Sequence, residues 1–113
     1  FTHVTFPADN ALIATFQDAG QEKIIGVARY GTSNGNGIVD FAVVVADDWQ
    51  RQGLASMLVS GLIASATIAG IDELTGLVLH ENQAMLQLAT SLGFHQAAGE
   101  RDPDGVHIHK ILR

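Results

Sequence analysis

The sequence predicts one mixed α/β domain: a mostly antiparallel sheet with a parallel central strand pair and two flanking helices. Three observations carry this. A chain of 113 residues with 47% hydrophobic content can build a single core. Up to about residue 46 the apolar residues come in short runs separated by glycine-containing turns, the mark of strands. From about residue 52 the spacing changes to threes and fours, the mark of a helix. A strand, a long helical crossover and a further strand make parallel neighbours joined right-handedly.

The elements follow in order. Residues 11–17, "ALIATFQ", read as a strand, and "DAGQ" is a turn in which Gly20 makes positive φ cheap. Residues 23–30, "KIIGVARY", are a second strand. The loop "GTSNGNG" precedes a strand, whereas the glycine loop of a dinucleotide site precedes a helix, so it is read as a hairpin connection. Residues 38–46, "IVDFAVVVA", are a third strand and complete an antiparallel meander. The helix of residues 52–69 carries Leu54, Met57, Leu58, Leu62, Ile63 and Ala66 as its apolar face, with Gly70 where a terminating glycine belongs. Residues 72–80, "DELTGLVLH", return as a strand. Asn82 caps a shorter helix over residues 83–92, closed by Gly93. "GFHQAAGE" and "GVHIHKIL" form two last strands around a "DPDG" turn.

Composition removes several classes of function. The absence of cysteine excludes disulfides, zinc–thiolate sites and cysteine nucleophiles, and it suits a reducing compartment such as the cytoplasm. No apolar run is long enough to span a membrane, and no signal peptide is legible. A formal charge of −6 argues against nucleic-acid binding, which needs a basic footprint, and permits a basic partner. The chain starts at Phe1 inside a strand-like phrase, so it is expected to be a piece of something longer, a domain over residues 1–113 that is incomplete at its N-terminal side.

The informative stretch is the junction between the third strand and the long helix, Gln50-Arg51-Gln52-Gly53-Leu54-Ala55 followed by Ser56. The first turn of a helix leaves backbone N–H groups without intrahelical partners, and the helix dipole places positive charge there. Gly53 lets a phosphate approach the backbone, Gln50, Arg51 and Gln52 add donors, and Ala55 keeps the next turn low. A plain helix start with an incidental glycine is the other reading of these residues.

In context this stretch resembles the acyl-CoA-binding signature of the GNAT family of N-acetyltransferases, Gln/Arg-x-x-Gly-x-Gly/Ala. Asn82, followed by an alanine- and leucine-rich helix ending in "LGF", is similar to the family's other familiar phrase. "IIGVARY", "FAVVVADDWQRQGLA" and "AMLQLATSLGF" most resemble the C-terminal acetyltransferase domain of bacterial protein lysine acetyltransferases, which is often fused to an acyl-CoA-synthetase-like region.

The resemblance implies a GNAT-like sheet whose parallel strands splay apart around acetyl-CoA, the acyl donor, with no metal. It implies that the backbone of Val43, Val44 and Val45 bonds the pantetheine arm. The amides of Gln52, Gly53, Leu54, Ala55 and Ser56 would hold the pyrophosphate, with Gln50 and Arg51 beside them, and Asn82 would contact CoA from the next helix. It also implies that Asp40, where such enzymes commonly carry a glutamate, is the general base; an exposed strand-end acid closing the hairpin is the other reading of this residue. The chain departs from the family in two ways. Ala89 stands where many members have a tyrosine general acid, and the family's first strand and two helices, which would precede Ala11, are expected to be missing.

Other features weigh less. His107 and His109 alternate with apolar residues, so both belong to one face of what reads as a solvent-facing edge strand, and no third metal ligand is apparent. Asp47 and Asp48 read as turn residues, with Asp48 a possible helix cap, and Tyr30 and Trp49 as packing residues. The expected activity is transfer of acetyl from acetyl-CoA to an amine, most of all protein lysine. The alternatives are a small-molecule amine acetyltransferase and a non-catalytic CoA-sensing domain of a larger protein.

Overall fold

The computed structural model describes residues 2–8, 10–31, 35–50, 53–97 and 102–112. Seven strands form one sheet in the order β1-β2-β3-β4-β5-β7-β6. They are β1 (Thr2–Ala8), β2 (Ala11–Asp18), β3 (Gln21–Tyr30), β4 (Ile38–Val45), β5 (Glu73–Val78), β6 (His95–Gln96) and β7 (Val106–Ile111). Helix α1 (Leu54–Ile68) joins the parallel pair β4 and β5, and α2 (Gln83–Ser91) joins β5 to β6. A 3₁₀ turn, Asp47–Trp49, lies between β4 and α1.

The meander has four strands, and the expected absence of a strand before Ala11 is corrected. β1 pairs antiparallel with β2, from Thr2↔Phe16 to Ala8↔Ala11, with a register shift between Thr5 and Ala8. That interval contains Pro7, which has no N–H to give a ladder and is tolerated on an edge strand. The strand-like phrase at Phe1 becomes β1, which is exposed along most of its length and is held in the sheet by the partner edge of β2. Among the described residues no helix precedes Ala11, and Ala8 of β1 pairs with Ala11 of β2.

One face of the sheet is buried. Leu12, Ala28, Tyr30, Val39, Phe41 and Leu74 pack with Leu54, Leu58, Val59, Leu62 and Ala66 of α1. Two glycines let helix and sheet approach. A Cβ on Gly26 of β3 would lie 2.8 Å from Leu58 Cδ1, and one on Gly61 of α1 would lie 2.6 Å from Leu12 Cδ2. The expected apolar face of α1 needs one correction: Leu54, Leu58, Leu62 and Ala66 are buried as the stripe, but Met57 on its one flank is half exposed, whereas Val59 on the other is fully buried. Both helix-closing glycines have the left-handed backbone that glycine allows, with φ of 82° at Gly70 and 93° at Gly93.

Further corrections concern the ends of elements. β7 lies between β5 and β6 and is not an edge strand; β6 pairs it through His95↔His109 and Gln96↔Ile108. Asp48 belongs to the 3₁₀ turn, and the N-cap of α1 is Gly53. Among the described residues no helix is long and apolar enough to cross a membrane.

Candidate functional site: a fork in the sheet

The parallel strands β4 and β5 pair over Ile38↔Glu73, Val39↔Leu74 and Asp40↔Thr75, and then part. Beyond the fork β4 stays bonded to β3 as far as Gly26↔Val45, while β5 follows β7 as far as Val78↔Val106. The ring of Phe41 marks the fork: a Cβ on Gly76 would lie 2.8 Å from Phe41 Cε1, so only glycine leaves room for that ring. Phe94, just past α2, braces Phe41 with ring centroids 5.2 Å apart.

The fork opens into a cleft of about 580 Å³. Its first wall is the free side of β4. Asp40 O accepts from Gly31 N at 2.8 Å, and Ala46 N donates to Ile25 O at 2.8 Å. Residues alternate in an antiparallel ladder, so the backbone N–H and C=O of Val43 and Val45 turn away from β3 toward the cleft, while those of Val44 turn to β3. The side chain of Val44 lines the cleft. Gln50 Nε2 donates to Val45 O at 3.3 Å and to Asp47 Oδ1 at 3.3 Å, tying the strand end to the 3₁₀ turn. Trp49 packs on Phe16 with centroids 4.9 Å apart.

The cleft floor is the start of α1. Gly53 has φ 78°, and no side chain caps this helix. Its first-turn amides, Leu54, Ala55 and Ser56, have no carbonyl one turn earlier within the helix. A Cβ built on Gly53 meets nothing within 4 Å, so space lies open above the backbone at the positive end of the helix. Gly53, Ala55 and Ser56 line the cleft, whereas the Leu54 side chain is buried in the core. Arg51 and Gln52 lie outside the described residues.

The opposite wall is the start of α2. Asn82 Oδ1 accepts from Met85 N at 3.1 Å, the expected cap, and Asn82 lines the cleft. Glu81, Gln83, Met85 and Leu88 line it as well, and sequence reasoning missed them. A signal was available: the Asn82 cap turns the first residues of α2 the same way, and Met85 and Leu88 repeat at helical spacing on one face. A wall of strand backbone and an uncapped helix start suit an elongated ligand with amides at one end and an anion at the other.

Asp40 is not among the residues lining this cleft. It lies at the fork, in the last paired position of β4, with an exposed side chain on the face opposite to Val39 and Phe41. The hydroxyl of Thr75 donates to Asp40 Oδ1. Ala89, at the position of the expected tyrosine, is buried, and Tyr30 is a buried packing residue.

The histidines form a separate arrangement at the far end of β5 and β7. His107 Nε2 lies 2.9 Å from Asp102 Oδ2, Asp104 N donates to Asp102 Oδ1 at 2.8 Å, and His80 Nε2 is 3.0 Å from Asp102 O. His109 Nδ1 lies 3.9 Å from Glu73 Oε2. The backbone N–H of Asp104, and then the His107 ring, hold the Asp102 carboxyl below the ordinary aspartate value of 3.8. A depressed folded-state pKa stabilises the fold above the ordinary carboxylate range, and that contribution fades as pH falls through the folded value. The Asp102 carboxyl carbon, followed by NMR, should therefore titrate with a midpoint below 3.8, and Asp104→Pro, which removes the N–H, should raise it.

Residues 4–94 match the family model described as Acetyltransferase (GNAT) family. The chain is 32% identical over 101 residues to Acetyltransferase PA5475 of Pseudomonas aeruginosa, covering 89% of this chain and 53% of that protein. The GNAT domain of S. lividans PAT superposes with a TM-score of 0.76 at 25% identity, over 90% of this chain and 60% of the other. Salmonella typhimurium yncA, solved with its cofactor acetyl-CoA, superposes with a TM-score of 0.75 at 25% identity, over 91% and 64%. The forked sheet with an open helix start at its mouth is the fold these acetyltransferases share. The chain belongs to the GNAT acetyltransferase family. It spans about half the length of PA5475, 53%.

Proposed function

We propose that this chain binds acetyl-CoA and transfers its acetyl group to an amine, with lysine side chains of proteins as the acceptor. The observation that carries the reading is the fork, whose cleft runs from the cleft-facing backbone of Val43 and Val45 to the open start of α1 at Gly53. In this reading the β4 backbone takes the amides of the pantetheine arm as a neighbouring strand would. The Gly53, Leu54, Ala55 and Ser56 amides take the pyrophosphate, with Gln50 near it and Asn82 on the opposite wall.

Acetyl transfer is direct. The amine nitrogen bonds to the thioester carbonyl carbon, its proton passes to Asp40, and the carbon–sulfur bond breaks to release CoA thiolate, which takes up a proton. Cleft-facing N–H groups of β4 are the donors available to the oxyanion. Asp40 stands at the vertex of the fork on the exposed face, where an acceptor can reach it from outside the cofactor cleft. Gly31, opposite it on the β3 side, has no side chain, and Ala42 is the next residue on its face, which leaves room for a lysine stem. The net charge of −6 suits a basic acceptor, and the lack of cysteine suits work in the cytoplasm.

Incubation with acetyl-CoA and a lysine-containing peptide, read by release of free CoA thiol and by peptide mass, tests the reading. Thiol release matched by acetylated lysine supports it. Release only with small amines reassigns the acceptor, and binding of acetyl-CoA without release reassigns the chain as a CoA-sensing module.

A further inference from the structure

We propose that Thr75 is a positioning residue for Asp40, holding its carboxylate at the vertex of the fork so that one oxygen faces the acceptor amine. This rests on the reading of Asp40 as the base. Asp40↔Thr75 is the last pair before the strands separate, so these two side chains share a face and sit where the backbone is still held from both sides. Beyond this pair the two strands share no backbone pairing.

The Thr75 hydroxyl has one proton to give. Two acceptors lie near it: Asp40 Oδ1, in close contact, and Val39 O at 3.4 Å, beyond the ordinary range for an O–H···O bond. The proton therefore goes to Asp40. Thr75 can aim it because a β-branched residue in a strand has few χ1 choices, and because β5 is fixed here by Thr75↔His109 on its other side. On the β3 flank Gly31 N bonds the Asp40 backbone oxygen at 2.8 Å and contributes no side chain. Among the described residues, then, Thr75 is what orients this exposed carboxylate. With Oδ1 engaged, Oδ2 is left to accept the amine proton, directly or through a water. Without the hydroxyl the carboxylate turns freely about its side-chain bonds, and the productive orientation becomes a minor population.

Thr75→Val keeps the shape and the strand preference and removes the proton. It should lower kcat about 10-fold while KM for acetyl-CoA stays unchanged, and Thr75→Ser should restore the rate. In an Asp40→Asn background, Thr75→Val should cost nothing further. Scalar couplings to the Asp40 Hβ protons, read by NMR without any substrate, should show one χ1 rotamer in the parent and rotamer averaging in Thr75→Val. The proposal is overturned by a full rate in Thr75→Val where Asp40→Asn is impaired, by an equal loss in both backgrounds, by failure of serine to restore the rate, or by unchanged couplings. A full rate in Asp40→Asn would instead remove the base reading itself.

Discussion

Replacing Gly53 by glutamate is expected to lower acetyl-CoA affinity on the order of 100-fold or more, a loss of about 2.7 kcal/mol. The side chain would grow into the open space above the start of α1, where a Cβ has no neighbour within 4 Å. Its negative charge would then stand where the helix dipole and the free amides of Leu54, Ala55 and Ser56 favour an anion of another molecule. Gly53 has φ 78°, so any side chain also strains the backbone, by roughly 1–2 kcal/mol. Gly53→Ala separates the two effects, since it carries the strain without the charge. Calorimetry on the folded variants should show a loss with glutamate well beyond that with alanine. Equal affinity in parent and folded Gly53→Glu would remove the pyrophosphate from this position.

Asp40→Asn is expected to lower turnover about 100-fold or more while leaving acetyl-CoA affinity intact, the pattern of a lost general base. The substitution is nearly isosteric, and the Thr75 hydroxyl can still donate to the amide oxygen, so the fork should keep its geometry. The carboxylate does not line the cofactor cleft, which is why binding and turnover should separate. Aspartate is one methylene shorter than the glutamate that similar enzymes commonly carry, and a water between Asp40 and the amine would bridge the difference. Rates of both proteins followed across pH decide the matter: an unchanged rate with an unchanged pH profile would assign Asp40 a structural role at the strand pair.

Much of this was legible because its causes are local. The change from strand to helix periodicity near residue 52, the cap at Asn82 and the glycines at 70 and 93 act within a turn or two of chain, and the structure has them in place. The helix start at Gly53 was legible for the same reason, since a strand end, a short turn, a glycine and an apolar helix follow one another in one stretch of chain. The wall formed by Glu81, Gln83, Met85 and Leu88 was harder, because its role depends on where α2 is laid against β4. The pairing of His107 with Asp102 was harder still: its partner comes from the loop before β7, and an alternating strand pattern cannot report it.

By itself, then, the sequence determined the class of fold, the order of most elements and the place of a potential anion site, through periodicity and chain-terminal hydrogen bonding. The tertiary structure alone decided that residues 2–8 join the sheet as its edge strand, because an edge of β2 was there to pair with them. It decided that β4 and β5 part after Asp40↔Thr75, where Phe41 lies over Gly76. It also decided which valines of β4 turn their peptide groups to the cleft. The physical reason is common to all three: strand pairing and register are contacts between residues far apart in the chain, and each segment's own residues leave them open until its neighbours are in place.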